Sequence, residues 1–331
     1  MINDSDFGTR DKRGHWKPFE KIIPMPRHVI PFRPIKLLKW LFGWNGYVFP
    51  MHFIWALMII LIWFFFTPSF DQIKNNNLFS FLYILIRNSI LVFIYVGFFH
   101  LHFYINRDQD TNFKYNAKFL DKSKKFFFKD QTKDNMIWVF FSAVPIWTIY
   151  EYLTLSAFAN EYIYFISWEI YPIYCLVLFF FVPIFRDVHF YLTHRLLHTK
   201  IFYQLAHRVH HYNVNPGPWS GLAMHPIEHI LYFSGILIHW IIPSHPLIAL
   251  WHIFHAGISP HAGHSGFDKI VFKNGIHLHT GTYFHYLHHK HFECNYSGDS
   301  TNYLDKIFGT LHDGTEESYQ KMFKRRVLLK K

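Results

Sequence analysis

The sequence predicts an all-α integral membrane protein. It would have about four transmembrane helices, a re-entrant or interfacial helical hairpin, and a cytoplasmic histidine-rich helical cap holding a dinuclear metal site. Three observations lead there. The 331-residue chain is 51% hydrophobic and 21% aromatic but only 17% charged, a low charge content for a soluble protein of this size. Its apolar residues fall in runs long enough to cross a bilayer, with blocks of Lys and Arg between them. Of its 26 histidines, all but His15, His28, His52, His100 and His102 lie between Arg186 and His312. The net charge of +11 sits in the blocks between apolar runs, which is the pattern of cytoplasmic loops at a membrane and not of a nucleic-acid groove.

From the N-terminus, residues 1–45 form a basic cytoplasmic arm with Arg10, Lys12, Arg13, Lys17, Lys21, Arg27, Arg33, Lys36, Lys39 and five prolines. Its Trp40–Trp44 end is placed on the lipid headgroups. The arm lacks the short apolar core of a cleavable signal peptide. Residues 46–185 form the membrane region. Apolar runs at 47–66, 78–104, 135–158 and 162–185 read as four spans, the last two joined by a tight hairpin at Asn160-Glu161. Arg87 interrupts the second run and needs a partner or a route to the interface, because a mid-bilayer arginine costs about 2.5–3.5 kcal/mol on insertion scales. The loop 105–134 is basic, whereas 67–77 and 159–161 carry almost no Lys or Arg. Both termini are therefore cytoplasmic. Residues 186–315 form the histidine region. Within it, 226–258 is apolar but broken at Pro243 and Pro246, hence a hairpin and not two spans. Residues 316–331 are a basic tail.

Three clusters organise the histidine region: His194-Arg-Leu-Leu-His198, His207-Arg-Val-His210-His211 and His285-Tyr-Leu-His288-His289. Helix positions i, i+3 and i+4 share one face, so each cluster can aim its imidazoles in one direction. A single such motif arises readily by chance in a chain this rich in histidine; three in one compartment argue for metal ligation by neutral imidazole. His52, His100, His102, His239 and His252 sit in apolar runs and read as hydrogen-bonded packing residues, and His15 and His28 as solvated. The two cysteines, Cys175 and Cys294, make neither a disulfide framework nor a structural zinc site. No Glu-x-x-His pair occurs, which excludes the soluble di-iron carboxylate bundle. An all-histidine, dinuclear site beside a bilayer remains. Iron there can activate dioxygen against a lipid C–H bond.

The spacing of the boxes resembles the fatty acid hydroxylase / sterol desaturase superfamily. The first two lie close together and the third comes late. Asp187 precedes His194 by seven residues, and Ala223-Met-His225-Pro-Ile-Glu228 resembles the sterol-desaturase A-x-H-P-x-E segment. His264-Ser-Gly is similar to the family's H-S-G. His288-His289-Lys-His-Phe292-Glu-Cys-Asn295-Tyr296, then Leu304-Asp305 and Phe308-Gly309-Thr310, resemble its ending. The run Asn295-Tyr-Ser-Gly-Asp299 departs from the N-Y-G-Q of sterol C-5 desaturases.

The resemblance implies a membrane-bound non-haem di-iron oxygenase at the endoplasmic reticulum, with its active site on the cytoplasmic side. It would use O2 and electrons from cytochrome b5 and an NAD(P)H-dependent reductase to desaturate or hydroxylate a lipid, a sterol foremost. A fatty-acid, sphingolipid or ether-lipid hydroxylase of the same superfamily is the alternative, and a histidine-rich metal transporter the rival from another class. The implied ligands to two Fe ions, which zinc can replace in isolated protein, are His194, His198, His207, His210, His211, His285, His288 and His289. His264 and His225 are secondary candidates and His261 a further one. Asp187, Glu228 and Asp305 would accept hydrogen bonds from ligand imidazoles; a helix-start or salt-bridge role beside Arg186 or Arg195 is equally open for Asp187. Asn295 and Tyr296 would fix the turn after the last box. Pro216, Pro218 and Trp219 would make a rigid turn at the membrane surface.

Overall fold

The computed structural model describes residues 2–19, 33–75, 77–298 and 300–328. Lys21, Arg27, His28 and Asp299 lie outside the described residues. The architecture is helical, with two short antiparallel ribbons as the β-structure among the described residues. After α1 (Pro34–Phe42), the membrane region is built from α2 (Met51–Phe66), a short α3 (Phe70–Asn75), α4 (Asn77–Ile105), α5 (Gln131–Ala159) and α6 (Pro172–Leu197).

The spans differ from the sequence reading in two ways. Three helices, α4, α5 and α6, are long and apolar enough to cross a membrane. α2 has 16 residues, which at 1.5 Å each reach about 24 Å against a hydrocarbon core of about 30 Å. The last span does not occupy 162–185. It starts at Pro172, whose fixed φ suits the first helical position, and runs on through Arg186 and Asp187 into the first histidine box. Charge does not end this helix because both side chains find partners inside the protein: Arg186 at the Tyr232 hydroxyl and Asp187 at the amides of Ser300 and Thr301. The stretch 160–171 is a longer, largely exposed connection instead of a tight hairpin, with Ile163 buried and Phe165 bridging to Ser244.

Arg87 finds its partner within the bundle. Its guanidinium meets Glu151 of α5, and Asn88 Nδ2 donates to the other carboxylate oxygen at 3.0 Å. The pair is closed off, with side chains 8% and 1% exposed. Pro183, inside α6, cannot donate to the Phe179 carbonyl one turn earlier. The Trp251 indole donates to that carbonyl instead, at 3.0 Å.

The segment 226–258 is a helical hairpin: α7 covers 200–211, then α8 (Pro226–Phe233) leads through a 3-10 turn (Ser234–Trp240) into α9 (Pro246–Gly263). His225 and His245 cap α8 and α9, each ring accepting from the amide two residues on. All 18 residues of α9 are buried, enclosed by α2, α5, α6 and the 3-10 turn Pro218–Leu222. Its apolar sequence thus serves the protein core and not lipid contact. Gly221 permits the closest approach, since a Cβ there would stand 2.7 Å from the backbone of Pro260 and His261. Trp219 is buried against Phe140, a correction to the expected surface turn.

The N-terminal arm is also more structured than expected. β1 (Gly8–Arg10) pairs with β2 (Trp16–Pro18), and Trp16 is buried between Phe113 and Tyr115. A second ribbon, β3 (Lys269–Val271) with β4 (His277–His279), leads to α10 (Tyr283–His291). α11 (Tyr303–Ile307) and α12 (Glu316–Leu328) complete the chain. The amide of Trp16 donates to Tyr115, that of Tyr115 to Gly266, and Gln131 Nε2 to Asn213. The N-terminal ribbon, the 106–130 loop and the histidine cap therefore form one body at one end of the long helices.

Candidate metal centre

Four elements deliver the imidazoles. α6 ends in the first box, with His194 in its last turn and His198 as its C-cap. α7 carries the second box and contains a π turn, Tyr203–His207, an irregularity common at functional sites. α9 delivers His264 at its C-cap, and α10 carries the third box. The rings gather into two buried sets: His194, His198, His207, His211 and His288 in one, and His210, His264, His285 and His289 in the other.

The division follows from helix geometry. Positions i and i+4 stand about 40° apart around the axis, and i+3 about 60° to the other side. On α7 the i, i+4 pair His207/His211 joins the five-ring set and His210 turns to the four-ring set. On α10 the pattern is reversed: His285/His289 join the four-ring set and His288 the five-ring set. Each H-x-x-H-H helix thus lies between the two sets and contributes to both.

The ring nitrogens are oriented from behind. Nδ1 of His194 donates to the Tyr296 carbonyl at 2.8 Å, that of His288 to Cys294 at 2.7 Å and that of His264 to Pro260 at 2.7 Å. Nδ1 of His207 lies 2.7 Å from Glu228 Oε1. A neutral ring that donates from Nδ1 has a bare lone pair at Nε2. These nitrogens face the Nε2 atoms of other box rings: His194 and His207 stand 3.1 Å apart, His288 stands 3.2 Å from His211, and His264 stands 3.0 Å from both His285 and His289. Lone pairs at that distance repel unless a cation lies between them. Ligand nitrogens about 2.1 Å from one ion and at right angles to each other stand roughly 3 Å apart. The donor set therefore fits two transition-metal ions.

Burial first, and neighbouring imidazoles second, hold His198, His207, His211, His285 and His289 well below the usual imidazole range, as they do His210. Burial also takes His288 down to about 4 and His264 to about 3. All are neutral at physiological pH, the form that ligates metal.

All eight box histidines enter the two sets, and His264 joins them. His225 does not. Its ring caps α8 and lies against Trp138. His261 also stays out; its Nδ1 donates to Pro218 at 2.8 Å. Among the carboxylates, Glu228 touches a ligand ring directly. Asp187 instead accepts from the amides of Ser300 and Thr301 at 2.6 and 2.7 Å, and Gly298 leaves it room, since a Cβ there would stand 2.3 Å from Oδ1. Asp305 accepts from the amides of Tyr296 and Ser297 at 2.9 and 2.7 Å. It thereby holds the carbonyl that orients His194, one step behind the ring. Asn295 fixes the turn after the last box through Phe284 and His312. Sequence reasoning missed Arg186 and Tyr232, which line a small cleft with His210, His264 and His285.

The family model for fatty acid hydroxylases matches residues 177–310. The matched segment is similar to fatty acid hydroxylases. It takes in the first two boxes, His264, the third box and Asp305. A Dictyostelium discoideum protein provisionally named methylsterol monooxygenase is 38% identical over 131 residues, 38% of this chain and 48% of that protein. Methylsterol monooxygenase 1 of Gallus gallus is 32% identical over 150 residues, 44% of this chain and 50% of its own. The Delta(7)-sterol-C5(6)-desaturase of Nicotiana tabacum is 30% identical over 162 residues, 47% of this chain and 56% of its own. The chain spans about half the length of the curated relatives it matches. No solved structure matches it.

Proposed function

We propose that the chain is a membrane-bound non-haem di-iron oxygenase that oxidises a C–H bond of a sterol, with a methyl group as the foremost target. The observation that carries this reading is the pair of converging Nε2 sets, each held from behind by carbonyl or carboxylate acceptors. The relatives named methylsterol monooxygenase support the sterol and the oxygenase chemistry. Bound iron would supply the reduction of dioxygen, with two electrons from cytochrome b5 and an NAD(P)H-dependent reductase. Hydroxylation then balances as one O2, two electrons and two protons giving one C–OH and one water.

The chain's own residues do the positioning. The four elements hold the nine imidazoles in two adjoining sets. Glu228 fixes the tautomer and raises the basicity of His207. The fully buried α9 walls the centre against water. The endoplasmic reticulum, with the centre facing the cytoplasm, is the compartment that supplies these electron donors. A metal transporter would need ionisable groups along its spans as an ion path, and the buried pair Arg87–Glu151 is closed on itself.

The test is oxidation of a 4-methylsterol by membranes carrying the protein, supplied with NADPH, cytochrome b5 and its reductase under isotopically labelled O2. One labelled oxygen in the sterol is expected. An unlabelled olefin would move the reading to desaturation, and metal-loaded protein inert on every sterol would overturn it.

A further inference from the structure

A buried cation stands at the edge of the metal centre. Arg186, 6% exposed, and Tyr232, 5% exposed, line the same cleft as His210, His264 and His285. The cleft offers about 20 Å³, room for about one water-sized group. Its other walls are apolar or small, including Phe190, Met224 and Gly221.

The guanidinium is fixed by a chain that begins with a proline. Pro260 has no N–H for the Ala256 carbonyl one turn back. The Tyr232 hydroxyl donates to that carbonyl at 2.8 Å. Its proton is thereby committed, and the oxygen can only accept from Arg186 Nη2. On the other side, Arg186 Nη1 stands 3.6 Å from Asp187 Oδ1. The charge is largely offset by Asp187, so the cleft does not require an anion. The guanidinium borders the cleft, and its N–H groups suit a neutral oxygen acceptor.

We infer that Arg186 hydrogen-bonds an oxygen substituent on the lipid substrate, close to the carbon oxidised at the metal centre, and so selects alcohols over the corresponding hydrocarbons. Arg186 is on this account a substrate-binding residue, and Tyr232 positions it. The inference rests on the lipid-oxygenase reading above and narrows its substrate class. The reacting C–H would lie within a few bonds of a hydroxyl. A sterol whose ring hydroxyl enters the cleft meets that requirement, and so does a long-chain alcohol.

The experiment measures binding, not turnover. The metal-loaded full chain in detergent is titrated with two pairs of probes, cholesterol against cholest-5-ene and 1-octadecanol against octadecane. Wild-type protein should bind at least one alcohol about tenfold more tightly than its deoxy partner, the scale of a hydrogen bond to a charged donor. Arg186→Gln should bring that ratio close to one with metal content unchanged. Tyr232→Phe, which keeps the ring but frees the guanidinium, should reduce it in part. Metal content and thermal unfolding of Arg186→Lys provide the folded control should Arg186→Gln fail to fold; with a single point donor it should keep only part of the preference. Preference for octadecanol alone would uphold the inference and overturn the sterol reading. No preference in either pair, or a preference that survives in both the Gln and Lys variants, would overturn the inference, leaving the cleft to water or dioxygen.

Discussion

At the residue scale, helix position aims every box imidazole, and for His194, His207, His264 and His288 the acceptor behind the ring contributes as well. Glu228 shows the second contribution. Glu228→Ala removes the acceptor of His207 Nδ1 and should weaken metal affinity about 10–100-fold, whereas Glu228→Gln, which keeps an acceptor oxygen, should lose less. Metal-competition titration with a chelator separates the two variants. Protons oppose folding of the site. Burial lowers the His264 and His288 pKa to about 3 and about 4, against about 6.5 in an unfolded chain. Below 6.5 the unfolded chain binds protons that the folded site refuses. The folding stability of the metal-free protein is therefore full above about 6.5 and falls as pH drops towards 4, by about 1.4 kcal/mol per pH unit for each such group. Thermal unfolding of metal-free protein followed across pH 7.5 to 4.5 should show loss of stability on the acid side; stability that rose as pH fell would contradict this assignment.

At the scale of elements, the box helices were legible because 3.6-residue periodicity shows which histidines share a face. The division between two ions was not, since sharing a face does not say what stands opposite it. His264 lies at the end of a buried helix, where no box spacing marks it, and only the His-Ser-Gly resemblance pointed to it. The extent of α6 was misread at Arg186-Asp187, because a hydropathy window registers charge but not the partners that bury it. The ribbons have strands of three residues, too short for alternation to register. Arg87 shows the reverse case. Its cost inside an apolar run forced the expectation of a partner, and Glu151 supplies it. Removing one member should destabilise the bundle by about 3–5 kcal/mol, and the double variant Arg87→Leu/Glu151→Leu should recover much of the loss. Thermal unfolding in detergent measures both; equal loss in the single and double variants would show that the pair is not coupled.

At the scale of the whole molecule, the N-terminal ribbon, the 106–130 loop and the histidine cap pack together at one end of α4, α5 and α6. This is also the end with the Lys and Arg excess. The positive-inside rule predicts that residues 2–19, 106–130 and 260–298 face the cytoplasm, with 67–75 and 160–171 across the membrane. In sealed microsomes a tag after residue 331 should be cut by added protease, and a protected tag would reverse the orientation. The same packing makes the cap one unit with the bundle, so a lost histidine of the two sets should cost metal without removing the protein from the membrane.

If nine histidines from four elements hold two metal ions, metal analysis of the purified protein should show it. Wild-type protein should carry two ions per chain. His264→Ala, outside the three boxes, should bring the value close to one, and His225→Ala should leave it at two. An absence of metal in wild-type protein, or two ions retained in His264→Ala, would contradict the centre described here.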